Sequence, residues 1–391
     1  MPPRVSATLL AASAANAMAG TLYAWSAMIP ALEDAFGVGT GAGGMVFSLA
    51  ILSFTAAVLA GPHLPARLRG LTGTGRAALA GAAALVLAVA APGFGLFLAA
   101  FSLGFAAASG IIYLNVLDLA GRSARPALAT PAMVACFGLG AVTFGPALRA
   151  LVAVGWGIGA LLVPAAGLAL SALPALFLGS VRHGTPPMPA RAPRRKPAAT
   201  PAECGALALL WAGFFTGSVA GLMTLGLATT IIESRGATVA LSGLTLAGIA
   251  IANTSGRLGA GALATLLPLG ALLPVAALMS IAGLGTAALT RSAPVTALAL
   301  IAIAAGYGLT AAGFPVITRA LTGAERFAPA FAAVFTAWGM AGLLGPWAAG
   351  RLFDRTGGFT AAFTIAAGAA LAALALSLLL ARRLASSRHS P

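Results

Sequence analysis

Long apolar segments recur along the whole chain, and short stretches rich in Gly, Pro and Arg separate them. A helix needs about 20 apolar residues to cross a hydrocarbon core about 30 Å thick, so segments of this length predict membrane-spanning helices. The pattern predicts twelve such helices and therefore an all-α membrane protein. Their ranges are 8–32, 41–62, 77–92, 94–119, 128–154, 156–179, 205–231, 239–265, 270–290, 293–320, 329–352 and 359–381.

The first of these segments could also be interpreted as a signal peptide, because Arg4 precedes an apolar run and small residues follow near Ala15. That run continues to Leu32 and is longer than the h-region of about 7 to 15 residues in a signal peptide. We therefore interpret it as the first transmembrane helix.

The composition is typical of a chain that lies in a lipid bilayer. Hydrophobic residues make up 60% of the 391 residues and charged residues only 7%, with a mean hydropathy of +1.00. Soluble domains carry about 25% charged residues. The net charge of +15 comes from short basic clusters between apolar segments and not from a basic face, so we expect no nucleic-acid partner.

Residues that would carry metal, redox or phosphate chemistry are too sparse to form a motif. Cys136 and Cys204 are far apart and the three histidines are scattered, so we predict neither a disulfide framework nor a metal site. The only lysine, Lys196, follows Arg195, which excludes a Gly-Lys-Ser/Thr phosphate loop. No predicted span holds a constellation of His, Asp and Glu for acid-base work, so we expect no cofactor and no enzymatic activity.

The basic residues divide unequally between the two sides of the predicted bundle. With both termini on one side, that side receives Arg4, Arg67, Arg69, Arg76, Arg122, Arg125, Arg182, Arg191, Arg194, Arg195, Lys196, Arg319, Arg326, Arg382, Arg383 and Arg388. The other side receives Arg149, Arg235, Arg291, Arg351 and Arg355. Because cytoplasmic loops carry an excess of Lys and Arg, we expect a multi-pass protein of the cytoplasmic (inner) membrane with both termini in the cytoplasm.

One polar stretch divides the chain. Residues 182–201 read RHGTPPMPARAPRRKPAATP, which is too rich in proline and base to enter lipid. We predict an N-terminal six-helix half over residues 1–181, a cytoplasmic linker over 182–203 and a C-terminal six-helix half over 204–391.

The two halves also repeat one another at a constant spacing of 200 positions. The matching pairs are Glu33 and Glu233, Gly61 and Gly261, and Gly145-Pro146 and Gly345-Pro346. A single spacing for all three indicates a parallel duplication. Two parallel six-helix halves are the layout of the major facilitator fold, in which the substrate site lies near the bilayer midplane between the halves.

One arginine belongs to neither side of the membrane. Arg257 lies inside the eighth predicted span, eight residues before Thr265 and so about 12 Å from the inner end. An arginine at that depth costs about 2.5 to 3.5 kcal/mol on insertion scales, and no acid in neighbouring spans is an evident partner. An anionic substrate would be its counter-ion; the alternative is that Arg257 snorkels or caps backbone carbonyls.

The amide and phenol side chains are also concentrated in the predicted spans. Asn253 is four residues before Arg257 and so projects from the same helix face. Tyr113 and Asn115, on the fourth span, could donate hydrogen bonds to a carboxylate, although such residues also join helices to one another. The predicted substrate-binding residues are Arg257, Asn253, Tyr113, Asn115, Tyr23, Tyr307 and Trp338. Trp25 is a further candidate for a cavity wall.

Four segments resemble the oxalate:formate antiporter family, which lies beside the monocarboxylate transporters in the major facilitator superfamily. They are AGTLYAWSAMIPALEDAFG (19–37), SGIIYLNVLDLA (109–120), IANTSGRLGAGALA (251–264) and VFTAWGMAGLLGPWAAGRLFDRTG (334–357). The resemblance covers nearly the whole chain. It implies a secondary transporter of small carboxylates that works by alternating access.

Two departures from that family narrow the implied substrate. The resemblance implies an arginine on the eighth helix, retained as Arg257, and a lysine on the eleventh, where this chain has Trp338. With one cation, a dianion keeps an uncompensated charge at a cost of several kcal/mol, so a monocarboxylate fits better. Asn253 occupies the place of an aspartate that is expected to couple protons in monocarboxylate transporters, and an asparagine cannot titrate.

The loop GPHLPARLRG at 61–70 resembles the gating motif of the superfamily without its acid, and Asp118 or Glu325 could replace that acid. We predict a carrier, monomeric as is usual in the superfamily, for a small monocarboxylate, with a coupling proton or a counter-anion as a second partner. The alternatives are an efflux carrier for amphiphilic compounds and a transport-like membrane sensor.

Overall fold

A computed structural model gives the fold and describes residues 3–123, 126–180, 201–266 and 268–386. Within these ranges all regular structure is helical. This confirms the predicted all-α class. Most of the linker predicted at 182–203 lies outside the described residues, and the first helix after it already begins at Pro201.

The N-terminal half contains six passes across the bundle. Helices α1 and α2 form the first pass and are joined by a 3-10 segment, Gly20–Met28; helices α5 and α6 form the fourth and are joined by a π-helical segment, Ala99–Phe105. The helix bounds are α1 Pro3–Ala19, α2 Ile29–Phe36, α3 Thr40–Leu59, α4 Gly70–Val89, α5 Phe94–Leu98, α6 Ala106–Gly121, α7 Pro126–Leu151 and α8 Leu162–Ser180.

The C-terminal half also contains six passes. The bounds are α9 Pro201–Glu233, α10 Val239–Leu266, α11 Leu272–Leu289, α12 Ala293–Thr356 and α13 Thr360–Ser386. Helix α12 is two passes, because Gly323 within it has φ 68° and ψ 172°. This backbone conformation is not helical and suits glycine, so the chain reverses there.

Length and hydropathy agree with the predicted number of spans. Among the described residues, ten helical stretches are long and apolar enough to cross a membrane. One of them, Ala132–Ser180, contains two passes, because Gly155 and Gly157 break it with φ 93° and 53°. The first pass, Pro3–Phe36, is not among these ten stretches, because the 3-10 segment divides it into shorter helices. The twelve predicted spans are confirmed.

One predicted boundary is wrong by two helical turns. The sequence pattern starts the third span at 77, whereas α4 begins at Gly70. Its first turns hold glycine and threonine, which are typical of a loop. They are nevertheless helical because they pack closely on α8, where a Cβ at Gly179 would clash with the Thr72 hydroxyl oxygen.

Two long seams join the halves, α3 against the second pass of α12 and α7 against α10, and α9 also packs against the 3-10 segment of the first pass. A Cβ on Gly44 would clash with the backbone oxygen of Pro346, and a Cβ on Gly243 would lie 3.6 Å from the Pro146 ring. Both Gly-Pro pairs of the predicted repeat therefore lie at seams between the halves.

The ends of the bundle differ in charge. We call the end that carries Arg67, Arg69, Arg76, Arg122, Arg319, Arg382 and Arg383 the basic end, and the other the opposite end. At the opposite end, Arg149 of α7 donates to Glu233 of α9 at 2.6 Å. The Gly41 amide of α3 also donates to the Asp354 carboxylate of α12 at 2.8 Å. These contacts close the opposite end.

Candidate functional site

Arg257 lies deep in the bundle. It stands nine residues before the end of α10 at Leu266, which at 1.5 Å per residue is about 14 Å from that end. The side chain is partly exposed although it lies at mid-depth, so water or a solute can reach it.

The Arg257 guanidinium joins the two halves. Its Nε donates to Oδ1 of Asn253 at 3.3 Å, and its Nη2 donates to the Tyr23 hydroxyl of the N-terminal half at 3.4 Å. The predicted shared face of Asn253 and Arg257 is confirmed. Both hydrogen bonds are long, and an arginine has five N–H donors, so donors remain for a ligand.

A close helix contact brings Tyr23 to this position. The 3-10 segment that carries Tyr23 lies against α7 so tightly that a Cβ on Gly20 would meet the Phe137 carbonyl, and a Cβ on Gly140 would meet that of Ala17. Only glycine permits such an approach. The tyrosine ring then packs edge-on against Phe137, with centroids 5.2 Å apart.

Two tyrosine rings flank the guanidinium. The Cζ atom of Arg257 lies 5.8 Å from the ring centroid of Tyr23 and 5.9 Å from that of Tyr307. Both distances are within the range in which a cation is attracted to an aromatic face. The rings hold the cation without neutralising it.

Trp338 holds Tyr307 in place. Its Nε1 donates to the Tyr307 hydroxyl at 2.5 Å, and both side chains are buried. Gly221 of α9 makes room for the tyrosine, since a Cβ there would clash with Cγ of its ring. The lysine position of the resembled family is therefore filled by a neutral residue that orients a wall of the site.

Tyr113 stands on the N-terminal side of the same cluster. Its ring lies 5.5 Å from Phe54 and 5.3 Å from Phe137, and Phe54 in turn lies 5.9 Å from Trp338. Sequence reasoning missed Phe54 and Phe137, because a phenylalanine inside an apolar span carries no signal of its role. The Tyr113 hydroxyl has no hydrogen-bond partner within the described part of the chain and can donate to a ligand.

Asn115 is not in this cluster, contrary to the prediction. Its amide nitrogen donates to the Leu68 carbonyl at 2.8 Å, and its Oδ1 accepts from the Gly70 amide at 3.1 Å. The residue lies two positions after Tyr113 on a helix, so its side chain points in a different direction. Asn115 fixes the loop 61–70 at the basic end.

The other candidates also have structural partners. Trp25 donates to the Gly43 carbonyl at 2.9 Å and packs on Phe101 at 4.6 Å, so it belongs to the core of the N-terminal half. Asp118 pairs with Arg122 on its own helix at 2.8 Å and does not join the halves. The side chain of Glu325 lies outside those that the structure describes.

No carboxylate among the described residues lies within ion-pair distance of Arg257. The polar atoms that it contacts belong to an asparagine and a tyrosine, both neutral. A charge in such a position is costly unless it is compensated. The site can therefore accept one negative charge.

The opposite end holds a second group of ionisable residues. The Glu33 carboxylate accepts a hydrogen bond from Thr40 at 2.7 Å, next to the Asp354 contact at Gly41. Burial raises the pKa of Glu33, the Thr40 bond lowers it, and the charges of Asp354, Asp34 and Glu233 raise it further. Glu233 has Arg149 as a cationic partner.

No protein-family model matches the chain, and no curated protein matches it in sequence. Among solved structures it is similar to a bacterial homologue of the human lysosomal transporter Spinster in two inward-facing forms. The unoccupied form has a TM-score of 0.75 at 16% identity, and the alignment covers 100% of both chains. The occupied form has a TM-score of 0.71 at 14% identity, again over 100% of both chains. This similarity establishes the major facilitator fold.

Proposed function

We propose that the protein is a carrier for a small organic monoanion, a monocarboxylate, and that it works by alternating access. The observation that carries the proposal is the uncompensated guanidinium of Arg257 at mid-depth between the two halves, with free N–H donors. Carriers of this fold bind their substrates near the midplane between two repeats and rock the repeats around the site.

The charge of the site favours a monoanion over a dianion. Arg257 is the cation of the cluster, and Asn253, Tyr23, Tyr113 and Tyr307 add neutral polar groups around it. A carboxylate would pair with the guanidinium, and the Tyr113 hydroxyl would donate to it. A second carboxylate would find no further cation among the described residues of this cluster, since Trp338 stands where the resembled oxalate exchanger has a lysine.

The arrangement of the ends fits one state of the transport cycle. The opposite end is closed by the Arg149–Glu233 ion pair and the Gly41–Asp354 hydrogen bond. With the basic end in the cytoplasm, as the positive-inside rule indicates, this is an inward-facing state. The outward-facing state requires both contacts to break.

An uncompensated cation at mid-depth also has a consequence for how transport is coupled. The empty carrier would have to carry Arg257 across the cycle without a counter-ion, which is unfavourable in a low-dielectric site. Because Asn253 cannot release a proton, we expect exchange of one anion for another to be faster than net transport.

Thermal stabilisation of the purified protein by a panel of mono- and dicarboxylates tests this function, because a ligand that binds only the folded state raises apparent stability, and more so the tighter it binds. We expect monoanions to stabilise the wild type and the Arg291→Ala variant, whose arginine is exposed, but not Arg257→Ala. Stabilisation by large uncharged amphiphiles alone would contradict the proposal and favour an efflux carrier.

A further inference from the structure

Four aromatic side chains form a continuous row along the second pass of α12. The ring centroids are 5.4 Å apart between Phe327 and Phe331, 5.6 Å between Phe331 and Phe335, and 5.1 Å between Phe335 and Trp338. The row begins near the basic end and ends at Trp338, which holds Tyr307 in the Arg257 site. We call these four residues the aromatic row.

The aromatic row faces the N-terminal half. Spacings of four, seven and eleven residues bring side chains to one helix face, so Gly342 shares the face of Phe331, Phe335 and Trp338. A Cβ on Gly342 would clash with the Ile51 side chain of α3. At mid-depth this face is thus sealed against the other half.

Toward the basic end the same face is open. Phe327, Phe331 and Phe335 are each partly exposed, whereas Trp338 is buried. The other side of this pass faces out of the bundle, because Ala333, Thr336 and Met340 there are exposed. The partly exposed rings therefore line the space between the halves that leads from the basic end to Arg257.

A cation stands at the start of the aromatic row. Arg319 is exposed, and its Cζ lies 5.8 Å from the ring centroid of Phe327. A solute that follows the row thus passes from one arginine to another along aromatic surface. Such a lining suits a molecule with one negative charge and a flat apolar body, because aromatic rings interact favourably with one another in stacked and edge-on geometries.

We propose that the substrate is an aromatic monocarboxylate, and that the aromatic row guides its ring between the basic end and the site while Arg257 holds its carboxylate. This inference rests on the proposed function, since it names the body of the anion that Arg257 binds. A carrier for lactate-like or formate-like anions would gain nothing from a row of aromatic rings, because those anions have no ring.

The test is calorimetric binding to the full-length protein in lipid nanodiscs, with benzoate, cyclohexanecarboxylate, lactate and acetate as probes. We expect benzoate to bind at least about tenfold more tightly than lactate or acetate, and several-fold more tightly than cyclohexanecarboxylate, which has a similar size but no aromatic ring.

Matched variants locate the preference. Replacing Phe331 and Phe335 together by leucine keeps apolar bulk but removes two rings, and we expect benzoate affinity to fall several-fold while lactate affinity is unchanged. Phe215→Leu is the control, because Phe215 stacks on Trp211, whose indole is bonded on the other side of the helix. If the double variant does not fold, Phe327→Leu, at the outer end of the row, is used in its place, and the rate of benzoate uptake is measured.

The outcomes separate this inference from the proposed function. Benzoate could bind no more tightly than lactate, or no more tightly than cyclohexanecarboxylate, while Arg257→Ala binds none of them. That result would overturn the inference that the substrate is aromatic and would leave the proposed carboxylate site intact. A benzoate preference that survives removal of the rings would also overturn it. Benzoate binding that is unchanged in Arg257→Ala would instead contradict the proposed function.

Discussion

The guanidinium of Arg257, on α10 of one half, donates a hydrogen bond to the Tyr23 hydroxyl of the other half at 3.4 Å and lies 5.8 Å from the centroid of its ring. The two residues are on opposite sides of the space between the halves. A carboxylate bound to Arg257 would meet the N-terminal half at Tyr23, so the occupancy of the site and the relative position of the halves are linked.

Trp338→Lys should widen the substrate range toward dicarboxylates. A lysine there would add a second cation next to Arg257 and compensate the second charge of a dianion, which otherwise costs several kcal/mol. Thermal stabilisation by oxalate or malonate should increase relative to wild type. Trp338→Phe, which also loses the bond to Tyr307, is the control and should not gain this response; an unchanged profile in Trp338→Lys would contradict the placement of the site.

Asn115→Ala should loosen the loop 61–70 without changing substrate affinity. Asn115 makes two partly buried hydrogen bonds with the backbone of that loop, and a hydrogen bond of this kind contributes about 0.5 to 1.5 kcal/mol. Hydrogen exchange at the amide of Gly70 should accelerate by up to about one order of magnitude. A loss of benzoate or lactate binding in this variant would show that Asn115 contributes to the substrate site.

Arg149→Ala should favour opening of the opposite end. The arginine side chain is 10% exposed and its partner Glu233 is 23% exposed, and hydrogen bonds of this charged kind contribute about 1.5 to 3 kcal/mol. Spin labels at Val154→Cys and Val239→Cys, in a background with Cys136 and Cys204 replaced by serine, report the distance between the halves at that end.

The fraction of molecules with a long distance between the two labels should be larger for Arg149→Ala than for the control variant Arg235→Ala. Arg235 lies at the same end but bonds within its own half, to the Ala287 carbonyl. If both variants gave the wild-type distance distribution, the ion pair would have no part in closure.

Closure of the opposite end should weaken as pH rises. Burial raises the pKa of Glu33 in the closed state, and Asp354 of the other half raises it further. Opening removes both effects, so the closed state binds the proton more tightly. Closure is then favoured at low pH, where Glu33 is protonated in both states, and this contribution is lost as pH rises through the raised pKa of the closed state.

The same spin-label pair measures this dependence. Glu33→Gln should abolish it, because glutamine keeps an acceptor for Thr40 and cannot titrate. The exposed neighbour provides the control, since Asp34→Asn removes the same charge but should retain most of the response. A pH response of equal size in Glu33→Gln would assign it to another group.

The sequence predicted the fold well because lipid imposes a length and a composition on every span. The twelve segments follow from the apolar pattern, and the i, i+4 spacing correctly placed Asn253 and Arg257 on one face. The start of α4 was wrong because its glycines and threonines, typical of loops, are packed against α8. Hydropathy contains no information on such contacts.

The candidate site was predictable only through its polar members. Arg257, Tyr23 and Tyr307 stand out because lipid disfavours such residues, and the structure brings them together. Asn115 has the same signal but a different partner, since the sequence does not give the direction of its side chain. Phe54, Phe137 and the three phenylalanines of the aromatic row carry no signal, because phenylalanine is ordinary in any span.

The most direct test of the central claim is uptake of labelled benzoate and lactate by proteoliposomes that contain a second, unlabelled monocarboxylate inside. Wild type and Arg291→Ala should exchange the anions. Arg257→Ala should still insert and fold but exchange them at least about a hundredfold more slowly, because the variant removes the charge that binds the carboxylate. Exchange at the wild-type rate in Arg257→Ala would show that the cation at the centre of the bundle is structural and that the protein binds its substrate elsewhere.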